Sequence, residues 1–137
     1  MDKQFVNRIV ELTNQERKKA GLPSLKQNTQ LMIAAGKHAM DMALEDYFDH
    51  LDPNEQTKPS QRITQTGYKW SRCAENIHAG GETPEKAVKG WMESSGHRAN
   101  ILNPNLEEIG VGYYHLPKDT GDVNYKHYWV QVFATPK

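Results

Sequence analysis

Glu108-Ile109-Gly110-Val111-Gly112-Tyr113-Tyr114 and Tyr125-Lys126-His127-Tyr128-Trp129-Val130-Gln131-Val132-Phe133-Ala134 decide the fold. In the first run, Ile109, Val111 and Tyr113 alternate with Gly110, Gly112 and Tyr114. In the second, Tyr128, Val130 and Val132 alternate with Trp129, Gln131 and Phe133. A period of two marks a strand, because successive side chains point to opposite faces. Residues 116–124 between the runs are polar and hold Pro117, Asp119 and Gly121, so the pair reads as an antiparallel hairpin. A third strand is expected over residues 73–79, ahead of a Gly80-Gly81 turn.

Most of the chain upstream of the hairpin has helical spacing. Phe5, Ile9, Val10, Leu12 and Thr13 share one face of a segment over residues 5–20, stopped by Gly21 and Pro23. A second helix over residues 29–47 carries Leu31, Ala34, Ala35, His38, Met42 and Ala43 as a stripe, its alanines allowing close packing. Residues 49–59 read as a loop and 61–66 as a helical turn. Thr83-Pro84-Glu85 starts a third helix: an N-cap hydroxyl, a proline at the first helical position and an acid in the first turn. Its inward face is Ala87, Val88, Trp91 and Met92. Ser94-Ser95-Gly96 ends or bends it, and residues 97–102 form a further turn before Asn103-Pro104. Helices first and strands mostly last give an α+β fold, a small antiparallel sheet covered by helices.

The 137 residues are one domain's worth, spanning residues 1–137, and bury enough surface for a core without staples. Seventeen basic residues balance seventeen acidic ones. Zero net charge argues against a general nucleic-acid binder and against a polybasic membrane binder. No apolar run approaches the ~20 residues of a membrane helix, so the chain is not expected to be transmembrane. Met1-Asp2-Lys3-Gln4-Phe5 holds no apolar signal-peptide core, which leaves an intracellular protein or a mature form. The single cysteine, Cys73, excludes an internal disulfide and reads as a small hydrophobe. Trp91, Trp129 and Tyr128 read as core.

His50, Glu75, Glu93 and His97 lie at the ends of expected elements, where loops can gather them. Two imidazoles and two carboxylates can bind a metal, act as acid and base, or form a satisfied polar network. Spacing alone favours the network. There is no His-Glu-x-x-His motif, and two histidines fall short of the three protein ligands usual for catalytic zinc. Ser94 and Ser95 lie near His97 without a nucleophile elbow, and Cys73 has no evident base.

The order Glu75-Asn76-Ile77, Trp91, Gly96-His97-Arg98-Ala99-Asn100-Ile101-Leu102-Asn103-Pro104, Glu108-Ile109-Gly110-Val111-Gly112 and Tyr128-Trp129-Val130-Gln131-Val132-Phe133 resembles the CAP superfamily. That superfamily takes in cysteine-rich secretory, antigen 5 and pathogenesis-related 1 proteins. The likeness is to its bacterial, extracellular SCP-like branch. Asn14, Arg17 and Gly21-Leu22-Pro23-Ser24-Leu25 look like that branch too. The resemblance implies an α-β-α sandwich with a three-stranded antiparallel sheet and an open cleft lined by two histidines and two glutamates. Residue by residue, His50, Glu75 and His97 match three members. By distance from Trp91 the fourth place falls to Ser94; Glu93, one residue earlier, substitutes for it by geometry, or the site is a triad. The implied role is a secreted binding or interaction module for an extracellular ligand, lipid or protein. No cofactor is required, and Zn²⁺ between His50 and His97 is compatible. Two alternatives stand: a metal-assisted, peptidase-like hydrolase in which Glu75 or Glu93 activates water, and a purely structural polar cluster. The resemblance weighs against an enzyme.

Overall fold

A computed structural model describes residues 2–137. Five helices and four strands follow in the order α1 (Lys3–Lys19), β1 (Lys26–Gln27), α2 (Thr29–Leu44), α3 (Pro59–Gln65), β2 (Trp70–Ala79), α4 (Pro84–Met92), α5 (Ser95–Ile101), β3 (Glu108–His115) and β4 (His127–Pro136). Caps fix several helix starts. Asp2, Asn28 and Thr83 each accept a hydrogen bond from a first-turn backbone N–H of α1, α2 and α4.

The strand order is β1-β3-β4-β2. β3 and β4 form the expected hairpin, with Gly110 opposite Val132 and Gly112 opposite Val130. β2 runs antiparallel to β4 and forms one edge. The sheet therefore has four strands, not the expected three. The extra strand, β1, has only two residues and pairs parallel with β3. Two residues are too few to show a period, so the sequence carries no mark of it. The helix limits also move. α2 stops at Leu44 rather than residue 47, and β2 starts at Trp70 rather than residue 73.

The alternation in β4 sorts the core into two layers. Trp129 and Phe133 pack with Ile9 and Val10 of α1, Trp91 of α4 and Ile101 of α5. Tyr128, Val130 and Val132 pack with Leu31, Ala35 and Met42 of α2 and with Ile77 of β2. The sandwich is thus α1, α4 and α5 on one face and α2 on the other. The β3 glycines explain how α2 sits so close. A Cβ on Gly110 would lie 2.1 Å from the Leu31 carbonyl carbon, and one on Gly112 would lie 2.3 Å from the Ala35 oxygen. Backbone meets backbone where side chains would otherwise stand. Among the described residues, no helix is long and apolar enough to cross a membrane.

Candidate functional site

Glu75 and Asn76 are neighbours on edge strand β2, so they point to opposite faces of the sheet. Each anchors one of the two histidines singled out by the sequence. On the α2 face, Glu75 Oε1 lies 2.9 Å from His50 Nδ1, whose N–H donates to it. Arg62 of α3 donates from Nη2 to both Glu75 oxygens, at 3.1 and 2.8 Å. Both side chains of that ion pair are buried, with Glu75 at 1% and Arg62 at 3% exposure. On the other face, Asn76 Nδ2 donates to the His97 carbonyl at 3.0 Å and to Gln131 Oε1 at 3.1 Å. Asn100 Nδ2 donates to Asn76 Oδ1 at 2.9 Å, and Gln131 Nε2 donates to Thr13 Oγ1 at 2.7 Å. This chain of amides ties α5 and α1 to the sheet.

His38 completes the inner side. It is fully buried, and its Nε2–H donates to the Asp49 carbonyl at 2.9 Å, which fixes the tautomer. The Tyr47 hydroxyl then donates to Nδ1 at 3.3 Å. Burial pushes the His38 pKa down, against the attraction of Glu75.

The two candidates for the fourth place separate. Ser94 Oγ lies 2.9 Å from His97 Nδ1. Glu93 is exposed, 3.8 Å from Lys89, and lines a groove between α1 and α4 with Leu12, Glu16 and Met92. Among the described residues, no hydrogen bond joins Glu93 to His50, Glu75 or His97. The physical reason is the restart of the chain at Ser94, the extended residue before α5, which turns the two neighbours apart.

His50 and His97 thus hold Nδ1 against protein groups, and neither Nε2 has a protein partner among the described residues. The rings feel each other. The hydrogen bond to Glu75 raises the His50 pKa, and burial followed by the His50 charge lowers that of His97. His78, T-shaped against Trp91, is also lowered, by burial and then by His97. Beside His50, a hollow of about 430 Å³ is bounded by Ser60, Cys73 and Glu75. A larger one, about 660 Å³, is lined by His115 and His127 and by none of these site residues. Cys73 is half-buried, and burial raises its thiol pKa, so it is no activated nucleophile. The ring nitrogens left without a protein partner among the described residues offer two imidazole donors at most. Glu75 is spent on Arg62 and His50 and stands behind the ring, not beside an ion.

Arg62 and His38 were not legible as site members. Arg62 sits in a short polar helical turn with no pattern, and His38 occupies an apolar stripe where a core histidine is the ordinary reading.

The model of the cysteine-rich secretory protein family, CAP, matches residues 10–133. The chain belongs to the CAP family. This CAP domain is 44% identical over 129 residues to YkwD of Bacillus subtilis, covering 94% of the domain and 46% of YkwD. It is 32% identical over 104 residues to the B. subtilis membrane protein YlbC, covering 76% of the domain and 30% of YlbC. The CAP domain therefore spans less than half the length of both. An extracellular SCP-domain protein from Bacillus anthracis superposes with a TM-score of 0.84 at 28% identity, covering 97% of the domain and 41% of that chain. An outer surface protein from Borrelia burgdorferi reaches a TM-score of 0.88 at 21% identity over 100% of the domain and 97% of its own chain, a likeness of fold. The bacterial SCP-like assignment and the helix-covered sheet stand.

Proposed function

We propose that this CAP domain is an extracellular binding module whose ligand docks over the edge of β2 between His50 and His97. One observation carries the reading. Both rings spend Nδ1 on protein and leave Nε2 without a protein partner among the described residues. An imidazole held at Nδ1 presents Nε2 in a fixed direction, as a hydrogen-bonding group or a metal ligand. Zn²⁺ is the metal such a pair would suit, and when bound it would supply a Lewis-acidic contact for a ligand. Glu75 supports binding over hydrolysis, since a general base must reach water or substrate and this carboxylate is buried against Arg62. Two imidazoles also fall short of the usual catalytic zinc set. The buried Glu75–Arg62 pair on one face of the sheet and the Asn76–Gln131 amides on the other favour a structural role for those four groups. An extracellular setting is supported by the relatives, one described as extracellular and another as an outer surface protein. The ligand classes that fit are an extracellular lipid or protein, since zero net charge weighs against nucleic acid.

Zinc titration of the wild type against His50→Ala and His97→Ala tests the metal-holding part. The expected result is binding by the wild type and its loss in each variant, with the fold retained. Equal binding by all three would contradict it. Protons compete for the same nitrogens. Because Glu75 raises the His50 pKa above 6.5, affinity should begin to fall above pH 6.5 and keep falling to pH 5. An affinity that does not change between about pH 5 and pH 8 would count against the site.

A further inference from the structure

Outside the cleft, Asp41, Asp52 and Glu55 each bring a carboxylate oxygen within 4.8 Å of the other two. Asp41 lies on α2, and the other two lie on the loop that also carries His50. Acidic clusters are common, but Asp52 is unusual. It is fully buried. Its Oδ1 accepts from the backbone N–H groups of Asn54 and Glu55, at 2.8 and 3.2 Å. Its Oδ2 is buried and has no partner at good hydrogen-bond geometry among the described residues. The Tyr47 hydroxyl faces both His38 Nδ1, at 3.3 Å, and the Asp52 carboxylate, and its one proton cannot serve both. Thr57 Oγ1 is a second buried oxygen without a partner among the described residues. Asp52 and Thr57 face each other in an isolated antiparallel bridge, and directly paired residues project to the same face. Native proteins rarely leave buried polar atoms unmet, so each orphan asks for a ligand.

The charge count points the same way. Lys37 Nζ lies 2.8 Å from Asp41 Oδ2 and 2.7 Å from Glu55 Oε1. One ammonium against three carboxylates leaves two negative charges unbalanced, which is the charge of one divalent cation. The donors are all oxygen, the preference of hard ions and not of zinc or copper. An irregular loop suits Ca²⁺, which accepts varied coordination, better than Mg²⁺, which demands an octahedron.

We propose that Asp41, Asp52 and Glu55 form a Ca²⁺ site that clamps the His50-bearing loop onto α2, with the Lys37 ammonium as its competitor. The Lys37 side chain is 42% exposed and free to swing into solvent when the ion enters. The site does not depend on what the cleft binds.

The test titrates chelator-treated domain with CaCl₂, and separately MgCl₂, at constant ionic strength. Calorimetry reads binding, and the melting temperature reads stabilisation. Ca²⁺ should bind with a Kd on the order of 10⁻⁴–10⁻³ M and raise the melting temperature. Asp52→Asn should lose the response. Glu55→Gln alters a half-exposed side chain, keeps the fold and should weaken binding roughly tenfold. Lys37→Gln should tighten it, because the competing charge is gone. His97→Ala should bind Ca²⁺ as the wild type does. The proposal is overturned if neither ion binds the wild type, if Mg²⁺ binds more tightly than Ca²⁺, or if Glu55→Gln binds undiminished. Failure of Lys37→Gln to tighten binding, or loss of binding in His97→Ala, overturns it as well.

Discussion

The Glu75 carboxylate is shared between Arg62 and His50, and the sharing sets what each residue can do. Glu75→Gln keeps the shape and removes the charge, leaving the Arg62 guanidinium buried without its counterion. The expected loss is about 3–5 kcal/mol in denaturant unfolding. Replacing both partners together, as Glu75→Leu with Arg62→Met, should recover part of that loss, because it is the unpaired charge that is costly. Glu93→Ala is expected to change stability by no more than about 0.5 kcal/mol, its one ion pair being exposed and loose. It should leave zinc titration unchanged, whereas Ser94→Ala should weaken binding by freeing the His97 ring. At this scale the sequence was informative for the residues with chemistry of their own. His50, Glu75 and His97 stood out by type and by position at element ends. The choice between Glu93 and Ser94 was not legible, because one residue's difference in a chain reversal depends on where α5 restarts. Arg62 was not legible at all, since nothing local distinguishes an arginine that turns inward.

Among the elements, β3 and α2 depend on each other most closely. The alternation of glycine with Ile109, Val111 and Tyr113 was readable as a strand, and the alanines of α2 as a close-packing stripe. That these two stripes meet is tertiary information, visible only when Gly110 and Gly112 are found against the backbone of Leu31 and Ala35. Gly112→Ala would push a methyl group into the Ala35 carbonyl, which cannot turn aside as a side chain could. A loss of about 1–3 kcal/mol or more is expected in thermal or denaturant unfolding. A neutral result would mean that α2 slides on the sheet with little resistance. The hairpin, α1, α2 and α4 were legible because each repeats its pattern over several turns or pairs. β1 was not, because its two residues are held only by the parallel pairing with β3.

Across the whole molecule, the histidines set the response to acid. His38, His78, His97 and His127 all have lowered pKa values, with burial as the first cause. A base whose folded pKa lies below its unfolded 6.5 contributes stability that is complete above pH 6.5 and is lost as pH falls through the folded value. His50 has the opposite sign. Its contribution is complete below pH 6.5 and disappears as pH rises through its raised folded value. Four groups against one predict a melting temperature that falls from pH 6.5 towards pH 5, and His38→Gln should flatten the slope. A melting temperature that holds or rises over that interval would contradict this reading. The same two signs meet at His50 and His97, and the proposed site depends on their Nδ1 bonds to Glu75 and Ser94. ¹⁵N NMR of the six imidazoles during zinc addition tests it most directly. Only the Nε2 resonances of His50 and His97 should shift, with their Nδ1 resonances keeping the signature of hydrogen bonding to Glu75 and Ser94. Shifts at His115 and His127 instead, or at Nδ1 of His50 or His97, would contradict it.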